Sequence, residues 1–97
     1  MIVNFGMPKF TITHYGLQKD GVTKETEVEA ETEMLACALA LTEFRNDGAV
    51  IDDHDPVDAS EGGSAPTQNR VSEVKDWARS SAGRKFVDVP GLDWLLG

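Results

Sequence analysis

Apolar and polar residues alternate twice near the start of the chain and then give way to an almost unbroken apolar run. From Lys9 to Leu17, Phe10, Ile12 and His14 fall on one side and Thr11, Thr13 and Tyr15 on the other, a period of two that predicts a β-strand. Asp20-Gly21 then offers a pair that tolerates positive φ, the signal for a hairpin reversal. Val22 to Ala30 alternates again, with Val22, Lys24, Thr26, Val28 and Ala30 opposite Thr23, Glu25, Glu27 and Glu29. Paired antiparallel, the two strands bury the Phe10/Ile12 and Val28/Ala30 faces. Thr32 is placed to cap a helix, and Glu31 and Glu33 suit the positive end of its dipole. Within that helix Met34, Cys37, Ala38, Leu41 and Phe44 form a central stripe flanked by Leu35 and Leu39, so it is expected to be buried on more than one side. Asn46-Asp47-Gly48 suits a left-handed ending.

Beyond the helix the pattern is weaker. Ala49-Val50-Ile51 reads as a short third strand, and Asp52 to Gln68, rich in Asp, Ser, Gly and Pro, as a long exposed loop. Pro66 is suited to open a second helix over about Thr67 to Ala82, with Val71, Val74, Trp77 and Ala78 turned inward and Gly83 stopping it. Lys85 to Val89 reads as a last strand, and Leu92, Trp94, Leu95 and Leu96 as a terminal hook closing the core. The chain is expected to form one α+β domain spanning residues 1–97. Its antiparallel sheet has three or four strands and two helices, in the order β-β-α-β-α-β. With 97 residues, 40% of them hydrophobic, one modest core is what the chain can build.

Charge changes this picture. The chain carries 17 acidic against 9 basic residues, a net charge of -8, which disfavours direct binding to nucleic acid or anionic membrane and favours a basic partner. The distribution is uneven: residues 20–61 hold thirteen acids and two bases, residues 62–97 four acids and five bases. Glu25, Glu27 and Glu29 would stand on one strand face roughly 6.7 Å apart. Like charges so arranged repel, and the row is a crude copy of the evenly spaced charges of a phosphate backbone. A solvated strand face kept acidic to discourage edge pairing is the plainer account. The further acids from Asp47 to Glu61 favour a binding surface made of Glu25, Glu27, Glu29, Glu31 and Glu33 with Asp52, Asp53 and Asp55.

Candidate chemistry is thin. Asp52-Asp53-His54-Asp55 holds carboxylates and an imidazole, yet lacks the turn glycine and closing glutamate of a calcium loop, so no metal site is assigned. His14 is expected to be a packed or edge histidine of a strand rather than a base, and Cys37, the single cysteine, to be buried and reduced. Trp77 and Trp94 are expected to fill the core. No nucleophile elbow or phosphate-binding glycine loop is present, so the sequence predicts no enzyme, no cofactor and no small-molecule substrate. Without a basic start followed by a long apolar run, or any stretch long enough to span a bilayer, a cytoplasmic setting is expected.

In its size, its hairpin-then-helix opening from Phe10 to Phe44, its acid-rich segments (Glu25 to Glu33 and Asp47 to Glu61) and its single cysteine, the chain resembles the small acidic proteins that phages use against bacterial defence, above all the anti-CRISPR proteins. That resemblance implies an inhibitor that mimics DNA and occupies the basic DNA path of a CRISPR surveillance complex in the host cytoplasm. The alternative is a small phage structural or regulatory protein that acts through apolar contacts or self-association.

Overall fold

The two alternating segments become neighbours in an antiparallel pair, and the apolar helix lies across them. In the computed structural model, which describes residues 8–16, 23–87 and 91–96, strands β1 (Lys9–Tyr15) and β2 (Thr23–Glu29) precede helix α1 (Glu33–Asn46). Strands β3 (Pro56–Glu61) and β4 (Thr67–Arg70) follow, then helices α2 (Val71–Arg79) and α3 (Ser81–Arg84) and a closing 3-10 turn at Asp93–Leu96. The strands form one antiparallel sheet in the order β2-β1-β3-β4. The α+β class expected from the sequence is therefore the one present. The Asp20-Gly21 reversal lies outside the described residues.

Alternation decides which side of the sheet is covered. Phe10, Ile12, His14, Val57 and Ala59 are buried on the inner face, together with Leu35, Cys37, Ala38, Leu41 and Phe44 from α1. The helix starts where its cap dictates, the Leu35 N–H donating to Thr32 Oγ1 at 3.2 Å. It ends before Gly48, whose φ of 98° a side chain would strain. Val71, Val74 and Ala78 of α2 join the same core, as do Leu92 and Leu95. The terminal hook is held by Trp94 Nε1–H, which donates to Thr42 Oγ1 at 2.8 Å.

Several boundaries after α1 differ from expectation. Ala49 to Ile51 is not a strand; the third strand is β3, inside the stretch expected to be an exposed loop. Its apolar residues are only Val57 and Ala59, small but wholly enclosed between β1 and β4 and under α1. β4 has no apolar residue; among the described residues it is an edge strand, held by its ladder to β3 and by the buried Asn69, which bonds to α1. Pro66 therefore precedes a strand, and α2 begins at Val71, where the Arg70 N–H donates to Glu73 Oε1 at 3.1 Å. Residues 85–87, expected to begin a strand, form a turn after α3, and their neighbours 88–89 lie outside the described residues.

Gly83 is a buried residue of α3 rather than the stop of a long helix. A Cβ placed on it would come within 2.7 Å of the Trp77 carbonyl carbon and 2.8 Å of Ala78 Cα. These are backbone atoms that cannot rotate aside. Gly83→Ala should therefore push α3 off α2 and cost about 1–3 kcal/mol, read as a lower urea midpoint at unchanged slope.

Cys37 is fully enclosed by the core. Burial, and after it the charge of Glu33, push its thiol up to about 12 from an ordinary 9.0. A pKa raised on folding gives stability that is complete below 9.0 and is lost as pH climbs through about 12. Alkaline unfolding should accordingly shift to higher pH in Cys37→Ala relative to its own neutral stability. An alkylating reagent should modify the native thiol only as fast as the domain opens.

Candidate functional site, an acidic open sheet face

The side of the sheet opposite α1 carries no helix among the described residues. The same alternation that sends Phe10, Ile12 and Val57 inward sends Thr11, Thr13, Tyr15, Glu25, Glu27, Glu29 and Asp58 outward. Glu25, Glu27 and Glu29 are all exposed, as the sequence pattern requires. Thr13 Oγ1–H donates to Glu25 Oε2 at 3.4 Å. Lys9 Nζ stands 3.8 Å from Glu27 Oε2, with both side chains more than half exposed. Such a pair contributes at most about 1 kcal/mol, so the row keeps most of its charge.

Asp58 is a fourth carboxylate of this face that the sequence reading passed over. The register sets Thr13 between Glu25 on one side and Asp58 on the other, which puts the three on one line across the sheet. Asp58 accepts the Tyr15 hydroxyl at 3.2 Å, and its Oδ1 is buried without a hydrogen-bond partner. The charge of Asp58 is the main reason the Tyr15 phenol titrates above its ordinary value; slight desolvation, the hydrogen bond and the charge of Glu25 add to it. Tyr15 thus acts as a titratable probe of a negative field on the open face. Alternation of Val57 and Ala59 about Asp58 was the signal available in the sequence.

The remaining candidates are placed differently. Glu31 is exposed in the bend between β2 and α1, just past the row. Glu33 is half-buried in the first turn of α1 and accepts from Asn69 Nδ2 at 3.0 Å, which ties β4 to the helix. Asp52 accepts the His54 N–H at 2.9 Å and shapes the turn before β3. Asp53 is bound by Lys75 Nζ at 2.6 Å. That hydrogen bond, and then the lysine charge, hold its carboxyl below the usual carboxylate value.

Asp55 overturns its assignment to the partner surface. It is completely buried, as is His14 at 1% exposure, and the His14 Nε2–H donates to Asp55 Oδ2 at 2.8 Å. The same oxygen also accepts the Asp52 N–H at 2.9 Å. Desolvated in this way, the carboxylate fastens the turn before β3 to the inner face of β1, and it is unavailable to a partner. His14 Nδ1 is buried without a hydrogen-bond partner. His14 is thus packed, one of the two placements expected from the sequence, but its acidic partner, 41 residues away, was not foreseen.

Neither tryptophan is a free anchor. Trp77 stacks on Phe86 at 6.0 Å, and the Trp94 ring lies 5.1 Å from the Arg45 guanidinium and 5.9 Å from Lys75 Nζ. Among the described residues no three His, Cys, Asp or Glu side chains converge as a metal site requires, and no helix is long and apolar enough to cross a membrane. What remains as a candidate is a field of four carboxylates on a sheet face that no described helix covers, suited to attracting positive charge. Comparison with protein-family models, with curated proteins and with solved structures finds no match for this chain.

Proposed function

We propose that this protein is a non-enzymatic inhibitor that presents its acidic sheet face as a substitute for DNA. Its target would be the basic nucleic-acid-binding surface of a bacterial defence complex, a CRISPR surveillance complex being the partner class that the sequence resemblance implies, in the bacterial cytoplasm. The observation that carries the reading is the exposure of Glu25, Glu27 and Glu29 in one row on a face with no helix over it among the described residues. A strand holds them at a fixed spacing of roughly 6.7 Å, so little ordering is needed when a rigid row of Lys or Arg meets them. Asp58 widens the same field toward the middle of the sheet. The buried Asp55 plays no part in it.

The test uses labelled duplex DNA held by a purified surveillance complex, with displacement followed by fluorescence anisotropy. The protein should release the DNA at low salt and lose that ability as salt rises, because screening shortens to about 10 Å at 0.1 M and to about 3 Å at 1 M. A ternary complex in which DNA affinity is unchanged would overturn the reading.

A further inference from the structure

The hydrogen-bond phase of the outermost strand shows which of its backbone groups lack a neighbouring strand. The Ala30 N–H donates to the Pro8 carbonyl at 3.1 Å, one step beyond the paired residues Lys9 and Glu29. Bonded and non-bonded pairs alternate along an antiparallel ladder. Phe10/Val28, Ile12/Thr26 and His14/Lys24 are therefore the bonded pairs, and Thr23, Glu25, Glu27 and Glu29 turn their N–H and C=O groups away from β1. The ladder on the other side of β1 agrees, since the Gly62 N–H donates to the Lys9 carbonyl at 3.4 Å and so places the odd residues of β1 toward β3. Among the described residues β2 has a strand on one side only. Each of its three glutamates thus offers an outward backbone donor and acceptor together with a carboxylate on the open face.

We propose that the β2 edge accepts an extended segment of a partner protein with Lys or Arg at alternate positions. The segment adds a fifth strand whose basic residues lie across from Glu25, Glu27 and Glu29. This rests on the reading of the acidic face as a binding surface and names how a protein engages it. Main-chain pairing supplies affinity, and the alternate side chains supply selection. On its other side the added strand meets the half-buried Lys24, Thr26 and Val28, which suits uncharged β-branched residues. A second copy of the chain is the wrong occupant, because antiparallel pairing of two β2 strands would set glutamates against glutamates.

The probe is the capped heptapeptide Lys-Thr-Lys-Thr-Lys-Thr-Lys, titrated into the full chain and followed by backbone amide shifts. A version N-methylated on its lysine backbone nitrogens carries the same charge but cannot pair. The parent peptide should shift the amides of Glu25, Glu27 and Glu29, and N-methylation should weaken binding about tenfold or more, the equivalent of one or two lost hydrogen bonds. Glu27→Pro should fold, because the lost N–H points outward, and should bind the parent as poorly. Glu27→Thr, which loses the charge and keeps the N–H, should weaken binding by no more than about fivefold. If the proline variant does not fold, the methylated peptide on the wild-type chain decides alone. Equal binding of both peptides, or dimerisation through this edge in sedimentation, overturns the edge proposal and leaves the acidic-face reading standing. If neither peptide binds while duplex DNA is still displaced from the surveillance complex, the edge proposal alone is wrong; if displacement fails too, both are.

Discussion

Replacing Glu25, Glu27 and Glu29 together by lysine should leave the domain folded and weaken displacement of DNA by about a thousandfold. Substitutions at exposed positions away from caps and cores change stability by roughly 0.5 kcal/mol or less, and all three glutamates are exposed. At the interface each reversal removes an attraction and introduces a repulsion. At roughly 0.2–1 kcal/mol for each change, three positions reach about 4 kcal/mol, or three orders of magnitude in affinity. Thermal melting checks the first half of the expectation and DNA competition the second. A folded triple variant that displaces DNA as well as the wild type would end the mimicry reading. The Tyr15 phenol offers an internal control, because the loss of Glu25 should bring its titration back toward the ordinary value while the contribution of Asp58 persists.

Asp55→Ala is expected to cost about 2–6 kcal/mol, a large share of the roughly 5–15 kcal/mol that holds a domain together. The carboxylate accepts both the His14 Nε2–H and the Asp52 N–H, and a buried donor left without an acceptor loses about 1–3 kcal/mol. His14→Phe made in the same chain should recover part of the loss, since it removes one orphaned donor and extends the contact that His14 already makes with the Phe44 ring at 6.3 Å. Urea unfolding of the two single variants and the double variant measures the coupling between the residues. Additive losses would mean that the pair does not fasten the turn to β1. Asp53→Ala is the contrast: its carboxylate is 55% exposed and meets Lys75 at the surface, so it should change stability little.

The parts of the fold that could be read from the sequence were those stabilised by their nearest neighbours. β1 and β2 announce themselves through strict alternation, and α1 through its apolar run and the Thr32 cap. β3 was missed because an interior strand flanked on both sides and covered by α1 needs little apolar bulk of its own; Val57 and Ala59 suffice. β4, written Thr67-Gln-Asn-Arg70, carries no signal of a strand at all; its ladder to β3 and the bond from Asn69 to Glu33, 36 residues away, hold it. The site divides in the same way. The glutamate row follows from local alternation, whereas Asp55 looks like one more acid in an acidic run until the fold brings His14 to it. A pairing across 41 residues leaves no trace in local spacing.

The sorting of side chains by parity on β1 and β2 also bears on how this chain can change over generations. Even-numbered positions such as Phe10, Ile12 and Thr26 belong to the interior side, and odd-numbered ones such as Thr11, Glu25 and Glu27 to the open side. Point substitutions at odd positions can therefore change the charge of the open face while leaving the interior side of the sheet in place. A single inserted or deleted codon within β2 has the opposite character, because it exchanges the two faces and drives the carboxylates beneath α1. Lineages descended from this sequence should accumulate replacements on the open face while the length of the strand stays fixed.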